Sequence, residues 1–186
     1  MSRRLAQGYH GVAPASAPVE TVAVVALGAN LGDRAATLDA AVADLARMPL
    51  TTGIRVAEPI ETVALTPSGP DAAAPAYLNT VALVTTRLAP SVLLSFLHAI
   101  EERHGRPPRR AGDARWQDRT LDLDLIAYGD VRSDDPALTL PHPRAAERDF
   151  VLEPWLRVDP DAVLPGAGRV ADLRARLAGH DEPRSS

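Results

Sequence analysis

The sequence predicts an α+β fold, in which helices pack on an antiparallel or mixed sheet. Two segments that read as strands, residues 51–58 and 77–86, are joined by a segment that lacks the period of a crossover helix, so they are expected to pair antiparallel. Residues 119–126 alternate cleanly between apolar and polar side chains. At 186 residues, the chain has the length of a single domain with one substantial core.

The composition excludes several functional classes. The net charge of −4 provides no global basic field for nucleic acid or for a membrane surface. All 20 basic residues are arginine, so a lysine-based phosphate loop or Schiff base is impossible. Cysteine is absent and no apolar run is long enough to span a membrane, which favours a cytoplasmic protein. No protein partner can be identified from the sequence.

The N-terminal half begins with an aperiodic segment. Residues 1–20 are rich in Ala, Pro, Ser and Gly and predict a disordered tail, which leaves residues 21–180 as the domain. Residues 22–27 form an apolar run that predicts a buried strand. Residues 28–33 then supply a turn and an N-cap, and apolar residues at helical spacing follow through Leu45. Residues 59–75 predict a long loop.

In the second half, Pro90 opens a predicted helix over residues 91–104, whose apolar side chains recur at helical spacing. The Gly- and Pro-rich residues 105–117 predict a loop. Strands are expected over residues 119–126 and 138–140. The remaining predicted elements are helices over residues 145–156 and 170–177.

Asp122 and Asp124 are the first candidates for chemistry. Aspartate is depleted in strands, and residues at i and i+2 point to the same face, roughly 6.5–7 Å apart. Both carboxylates could therefore bind one hard cation or bridge two. The alternative is a solvated outer face of the strand.

An arginine-rich loop lies immediately upstream of this pair and contains Arg106, Arg109, Arg110 and Arg115. Forked guanidinium groups beside two carboxylates suit a polyphosphate, because the arginines bind its oxygens and magnesium neutralises the remaining charge. A solubilising surface loop is the alternative. His142 lies between two prolines, where it could donate to a phosphate or could be an ordinary loop histidine.

Four segments, taken together and in order, resemble the 6-hydroxymethyl-7,8-dihydropterin pyrophosphokinase family. The segments are Gly-Ala-Asn-Leu-Gly-Asp at 28–33, Tyr-Leu-Asn at 77–79, Arg-Thr-Leu-Asp-Leu-Asp-Leu at 119–125, and Leu-Pro-His-Pro-Arg at 140–144 with Glu-Arg-Asp-Phe-Val-Leu at 147–152. The resemblance implies a ferredoxin-like, three-layer α/β/α fold around an antiparallel sheet. It also implies transfer of the terminal diphosphate of ATP to a pterin hydroxymethyl group, with release of AMP, in folate biosynthesis.

The resemblance further implies a role for individual residues. Asp122 and Asp124 correspond to ligands of two magnesium ions. The positions that match the pterin site are Thr62, Leu65, Tyr77, Asn79, Trp116 and Phe150. The positions that match the ATP site are His98, Glu101, Arg119, Thr139, His142 and Arg148. Arg106, Arg115 and one of Arg109 and Arg110 match arginines that close over the triphosphate, with Arg119 beside them.

Two other classes of function remain open at the level of sequence. A noncatalytic ferredoxin-like regulatory module could bind a small anion through the arginine loop. A magnesium-dependent phosphohydrolase could use the same carboxylates without any pterin.

Overall fold

The computed structural model describes residues 19–66, 69–71, 75–105 and 120–180. Within these residues the strands are β1 (Thr21–Ala29), β2 (Thr51–Val56), β3 (Ile60–Thr62), β4 (Ala64–Thr66), β5 (Gly69–Asp71), β6 (Tyr77–Thr86), β7 (Asp122–Tyr128), β8 (Ser133–Asp135), β9 (Leu138–Leu140), β10 (Val163–Leu164) and β11 (Gly168–Arg169). The helices are α1 (Arg34–Ala46), α2 (Pro90–Arg103), α3 (Asp149–Val158) and α4 (Val170–His180), with a 3-10 turn at Ala145–Glu147.

The main sheet is antiparallel and has the order β2-β6-β1-β7, with β3 pairing beside β2 along the same edge of β6. The predicted antiparallel pairing of residues 51–58 with residues 77–86 is confirmed, since Val56 lies opposite Ala82. Three further hairpins, β4-β5, β8-β9 and β10-β11, lie outside this sheet.

Helices cover both faces of the sheet, which confirms the three-layer prediction. On one face, Val25 and Leu27 of β1 pack with the buried residues of α1 and α2. On the other face, Val24 and Ala26 pack with the buried residues of α3 and with α4. Because β1 is covered on both sides, it requires the continuous apolar run that the sequence shows.

The local predictions differ from the structure mainly in the short elements. The predicted loop 59–75 contains strands β3, β4 and β5, and the predicted helix 145–156 is a 3-10 turn followed by α3. Strands of two or three residues are too short to show a period in sequence. The N-cap prediction is confirmed, because Asp33 accepts a hydrogen bond from the Ala36 amide at 3.0 Å. No helix in the described ranges is long and apolar enough to cross a membrane.

Candidate active site

Several predicted site residues share one end of one sheet face. Gly28 of β1 lies opposite Asn79 of β6 on one side and opposite Asp122 of β7 on the other. Asp124 lies opposite Ala26, two residues along the same strands. Since residues directly opposite each other point to the same face, Asn79, Asp122 and Asp124 all point to the side of the sheet that carries α3.

The two aspartates alternate with buried leucines, as the pattern predicts. Leu123 is 1% exposed, and Leu125 is also buried against the α1 and α2 side. Asp122 and Asp124 are partly exposed. Both side chains therefore lie on the partly exposed face of a strand whose other face is fixed by the core.

Arg148 joins the Asp124 carboxylate to the start of α3. Its Nη1 donates to Asp124 Oδ2 at 2.6 Å, and both side chains are mostly shielded from solvent. The same guanidinium lies 5.6 Å from the centre of the Phe150 ring, within the range of a cation–π contact. One arginine thus contacts a predicted metal ligand and a predicted pterin-stacking residue.

His142 is fixed beside this ion pair. Its backbone amide donates to the Ile126 carbonyl of β7 at 2.8 Å, and its Nδ1 accepts from the Arg144 amide at 3.2 Å. An accepting Nδ1 has no proton, so the neutral ring carries its hydrogen on Nε2. Burial lowers the pKa of His142, with Arg148 and Arg144 lowering it further against the opposing charges of Asp124 and Asp122.

On β6, the Asn79 amide is held in one orientation. Asn79 is 6% exposed, and its Nδ2 donates to Thr62 Oγ1 of β3 at 2.7 Å. A Cβ atom added at Gly28 would lie 2.9 Å from Asn79 Oδ1. Glycine at this position therefore leaves the space that the amide occupies. Tyr77 lies two residues before Asn79, opposite Thr62, and shares the same face.

Glu101 supports strand β7, which carries the two aspartates. This residue of α2 is 2% exposed, and its Oε1 accepts from the Leu123 amide at 2.8 Å. Strand β7 ends the sheet order, so this amide points away from β1 at the sheet edge. Leu123 lies between the two aspartates, and the contact therefore fixes the backbone that carries them.

Two further predicted nucleotide residues, His98 and Thr139, belong to elements that contact β7. His98 is partly exposed on α2, one turn before Glu101. Thr139 is on β9, which contacts both β7 and α2, and its hydroxyl donates to the Asp135 carbonyl at 3.1 Å.

Part of the predicted site lies outside the described residues. These residues are Arg106, Arg109, Arg110, Arg115, Trp116 and Arg119. Leu65 belongs to β4, but its side chain is also outside the description. The roles predicted for these seven residues stay predictions.

The donor set at Asp122 and Asp124 fits magnesium. Mg²⁺ commonly uses one or two carboxylates and keeps several waters, and it does not require a cage of protein ligands. The described part of the chain holds no group of three or more His, Cys, Asp or Glu side chains that could bind a metal ion. Two partly exposed carboxylates on one strand face are a suitable platform for metal ions that arrive with a polyphosphate.

Arg34 was not among the sequence candidates. It is the first residue of α1, and its Nη1 lies 2.6 Å from the Ala76 carbonyl and 2.8 Å from Glu61 Oε1. The partners are separated from it by tens of residues in sequence, so periodicity contained no indication of the contacts.

Comparison with known proteins gives consistent matches. The family model described as 7,8-dihydro-6-hydroxymethylpterin-pyrophosphokinase matches residues 24–160. The chain is 40% identical over 147 residues to 2-amino-4-hydroxy-6-hydroxymethyldihydropteridine pyrophosphokinase of Synechocystis sp., covering 79% of this chain and 71% of that protein. It is 34% identical over 158 residues to the protein of the same name from Haemophilus influenzae, and the match covers 85% of this chain and 94% of that protein.

Solved structures show the same fold at low sequence identity. A crystal structure of wild-type Plasmodium falciparum HPPK-DHPS superposes with a TM-score of 0.62 at 13% identity, covering 89% of this chain. This chain spans 46% of the length of that protein. The likeness therefore concerns the fold of the matched part.

Proposed function

Because the chain belongs to the 7,8-dihydro-6-hydroxymethylpterin-pyrophosphokinase family, we propose that it transfers diphosphate from ATP to the hydroxymethyl group of 6-hydroxymethyl-7,8-dihydropterin. The other product is AMP, and the reaction is a step in tetrahydrofolate biosynthesis. The observation that supports this most directly is the convergence of Asn79, Asp122 and Asp124 on one end of one sheet face, beside Arg148.

The pterin is proposed to bind over β6. The Asn79 amide presents a donor and an acceptor in a fixed orientation, which suits the donor–acceptor edge of a pterin ring. Tyr77 and Phe150 supply aromatic faces for stacking. Thr62 anchors the amide, and Leu65 and Trp116 complete the pocket in this proposal.

The nucleotide is proposed to bind along β7 and β9. Arg148 offers a guanidinium, and His142 offers an Nε2–H donor, to the phosphate oxygens. Thr139, His98 and Arg119 belong to the same site in this proposal. Glu101 is placed here by family resemblance, although its burial and its contact with the Leu123 amide support an indirect role.

Asp122 and Asp124 would hold two magnesium ions, which supply positive charge beside the polyphosphate when bound. The ion pair with Arg148 partly neutralises the charge of Asp124, and the Arg148 guanidinium also lies near the Phe150 ring. Movement of the Arg148 side chain from Asp124 towards a phosphate would free the carboxylate for a metal ion.

The reaction requires positioning and charge neutralisation but no covalent intermediate. The pterin hydroxyl oxygen attacks the β-phosphorus of ATP in line, the bond from this phosphorus to the α,β-bridging oxygen breaks, and AMP leaves with that oxygen, while the hydroxyl proton is lost to bulk solvent in the net reaction. In this proposal Arg106, Arg110 or its neighbour Arg109, and Arg115 close over the triphosphate and exclude water. Arg119, which follows these arginines in sequence, is proposed to stabilise the charge that develops on the phosphates.

We further propose that residues 21–180 form the catalytic domain, that deletion of residues 1–18 leaves turnover unaffected, and that the enzyme is cytoplasmic. Its expected partners are the two small-molecule substrates, and neither nucleic acid nor a membrane is expected to bind.

The test is to incubate the purified chain with ATP, Mg²⁺ and 6-hydroxymethyl-7,8-dihydropterin. Equal amounts of AMP and pterin diphosphate are expected. AMP or ADP formed at the same rate without pterin would instead identify a phosphohydrolase. Nucleotide binding without any product would identify a regulatory module, and either outcome would refute the proposal.

The metal role has its own matched variants. Asp122→Asn and Asp124→Asn should each reduce turnover by at least about 100-fold, because a metal-binding carboxylate is lost from the transition state. Asp39→Asn, at an exposed position of α1, is the control and should retain wild-type turnover. Unchanged rates in the strand variants, with unchanged thermal unfolding, would return Asp122 and Asp124 to a solvated surface role.

A further inference from the structure

Arg34 holds together two separate points of the chain from the first turn of α1. Its Nη1 group has two hydrogens, which can serve the Ala76 carbonyl at 2.6 Å and Glu61 Oε1 at 2.8 Å at the same time. The side chain is 31% exposed, whereas that of Glu61 is 60% exposed. An exposed ion pair alone contributes little to stability, so the carbonyl contact is the more informative of the two.

Each contact lies immediately before a residue of the proposed pterin site. Glu61 precedes Thr62 in β3, and Ala76 precedes Tyr77 at the start of β6. Thr62 and Tyr77 lie directly opposite each other, and Thr62 accepts the hydrogen bond that orients Asn79. Arg34 therefore fixes both ends of the connection between β3 and β6.

The arginine acts from the opposite side of the sheet. Glu61 lies opposite Leu78, which packs against the core on the α1 side, whereas Thr62, Tyr77 and Asn79 point to the face that carries α3. Arg34 consequently reaches the backbone beneath the pterin site without entering the face where the ring would lie.

We infer that Arg34 is a positioning residue for pterin recognition, which fixes the spacing of Thr62 and Tyr77 and so the orientation of the Asn79 amide. This inference rests on the proposed function, because it assumes that the pterin binds over β6. Loss of the guanidinium frees the Ala76 carbonyl and the Glu61 carboxylate together, and the strand ends then sample a wider range of positions. Pterin affinity falls, whereas the nucleotide residues on β7 and β9 are unaffected.

The test compares Arg34→Met with Arg47→Met, an exposed arginine just beyond the C-terminal end of the same helix. Methionine keeps an aliphatic stem but removes the donor. The dissociation constant of the pterin is measured in the presence of Mg²⁺ and a nonhydrolysable ATP analogue, and that of the analogue is measured alone. Arg34→Met should weaken pterin binding about 5- to 10-fold, the effect of one lost hydrogen bond. The affinity for the analogue should stay within twofold of the wild type.

Glu61→Gln separates the two contacts, because it removes the ion pair but leaves the Ala76 carbonyl bond. It should weaken pterin binding less than Arg34→Met does. Pterin affinity within twofold of the wild type in Arg34→Met would overturn the inference. Equal losses of pterin and nucleotide affinity, accompanied by a lower unfolding temperature, would also overturn it, since they would indicate a merely structural residue.

Amide hydrogen exchange tests the positioning role of Arg34 without relying on pterin binding. Exchange at residues 76–79 should accelerate in Arg34→Met and not in Arg47→Met, whatever the substrate is. A wild-type chain that binds no pterin would refute the proposed function while the exchange result still decides whether Arg34 positions these strands. Unchanged exchange would refute the positioning role.

Discussion

Replacement of Glu101 tests how the core holds the two aspartates. In Glu101→Leu, the Leu123 amide at the edge of β7 loses the carboxylate acceptor that lies 2.8 Å away. A buried donor left without an acceptor costs about 1–3 kcal/mol. Removal of a buried polar side chain offsets part of this cost, because the carboxyl group no longer has to be desolvated. We expect Glu101→Leu to be destabilised by about 1–2 kcal/mol.

Glu101→Gln is the informative partner of this variant, because its amide oxygen can still accept from Leu123. We expect its free energy of unfolding to lie within about 1 kcal/mol of the wild type. Glu102→Gln, on the exposed side of the same helix, controls for the loss of a negative charge. Urea unfolding of the four proteins gives the stabilities, and titration with Mg²⁺ and a nonhydrolysable ATP analogue gives the affinities.

The two roles considered for Glu101 predict different orders of affinity. If Glu101 acts through the Leu123 backbone, nucleotide affinity should be retained in Glu101→Gln and reduced in Glu101→Leu. If Glu101 instead contacts ATP through its charge, both variants should lose affinity equally. Equal stability of Glu101→Leu and Glu101→Gln would refute the argument that the hydrogen bond fixes the strand.

Two further predictions concern the site. Gly28→Ala should raise the KM for pterin at least about 5-fold with little change in the KM for ATP, because its Cβ would displace the Asn79 amide and disturb a hydrogen bond. Steady-state kinetics measure both constants, and a pterin KM equal to that of the wild type would contradict the prediction. Because the pKa of His142 is lowered in the folded protein, the unfolded chain binds more protons than the folded chain at pH values between the ordinary pKa of about 6.5 and the lowered folded pKa. Stability should therefore fall as the pH drops from about 6.5 through the folded pKa, and His142→Asn should reduce this fall in urea unfolding at pH 7.5 and 5; identical pH dependence in both proteins would refute it.

The sequence predicted the long elements because their burial patterns are simple. Residues 77–86 were predicted as a strand and form β6 over the same range, since both faces of that strand are largely covered. The alternation predicted a half-buried strand over residues 119–126, whereas β7 spans Asp122–Tyr128 and alternates only around Asp122 and Asp124, since it is buried on both faces from Leu125 onward. Strands such as β10, with two residues, depend on a hairpin partner and have no period of their own.

The contacts within the site could not be predicted in the same way. Asp124 and Arg148 are 24 residues apart, and the pairing depends on how α3 lies over the sheet. The tautomer of His142 depends on a local turn that brings the Arg144 amide to Nδ1. The sequence pattern identified Asp124 and His142 as candidates and the family resemblance added Arg148, but the geometry of these residues follows only from the packed structure.

The site lies where residue types that strands disfavour occupy strand positions. Asn79, Gly28 and Asp122 are all residue types that strands disfavour, and they lie side by side across β6, β1 and β7. No single one of them is unusual enough to indicate a site. Once the apolar residues fix the register, however, the three unfavourable positions fall into one row. Such concentrated conflict is expected where function, and not stability, determines the residues, and in this row the Asn79 amide and the Asp122 carboxylate point to the face proposed for substrate binding.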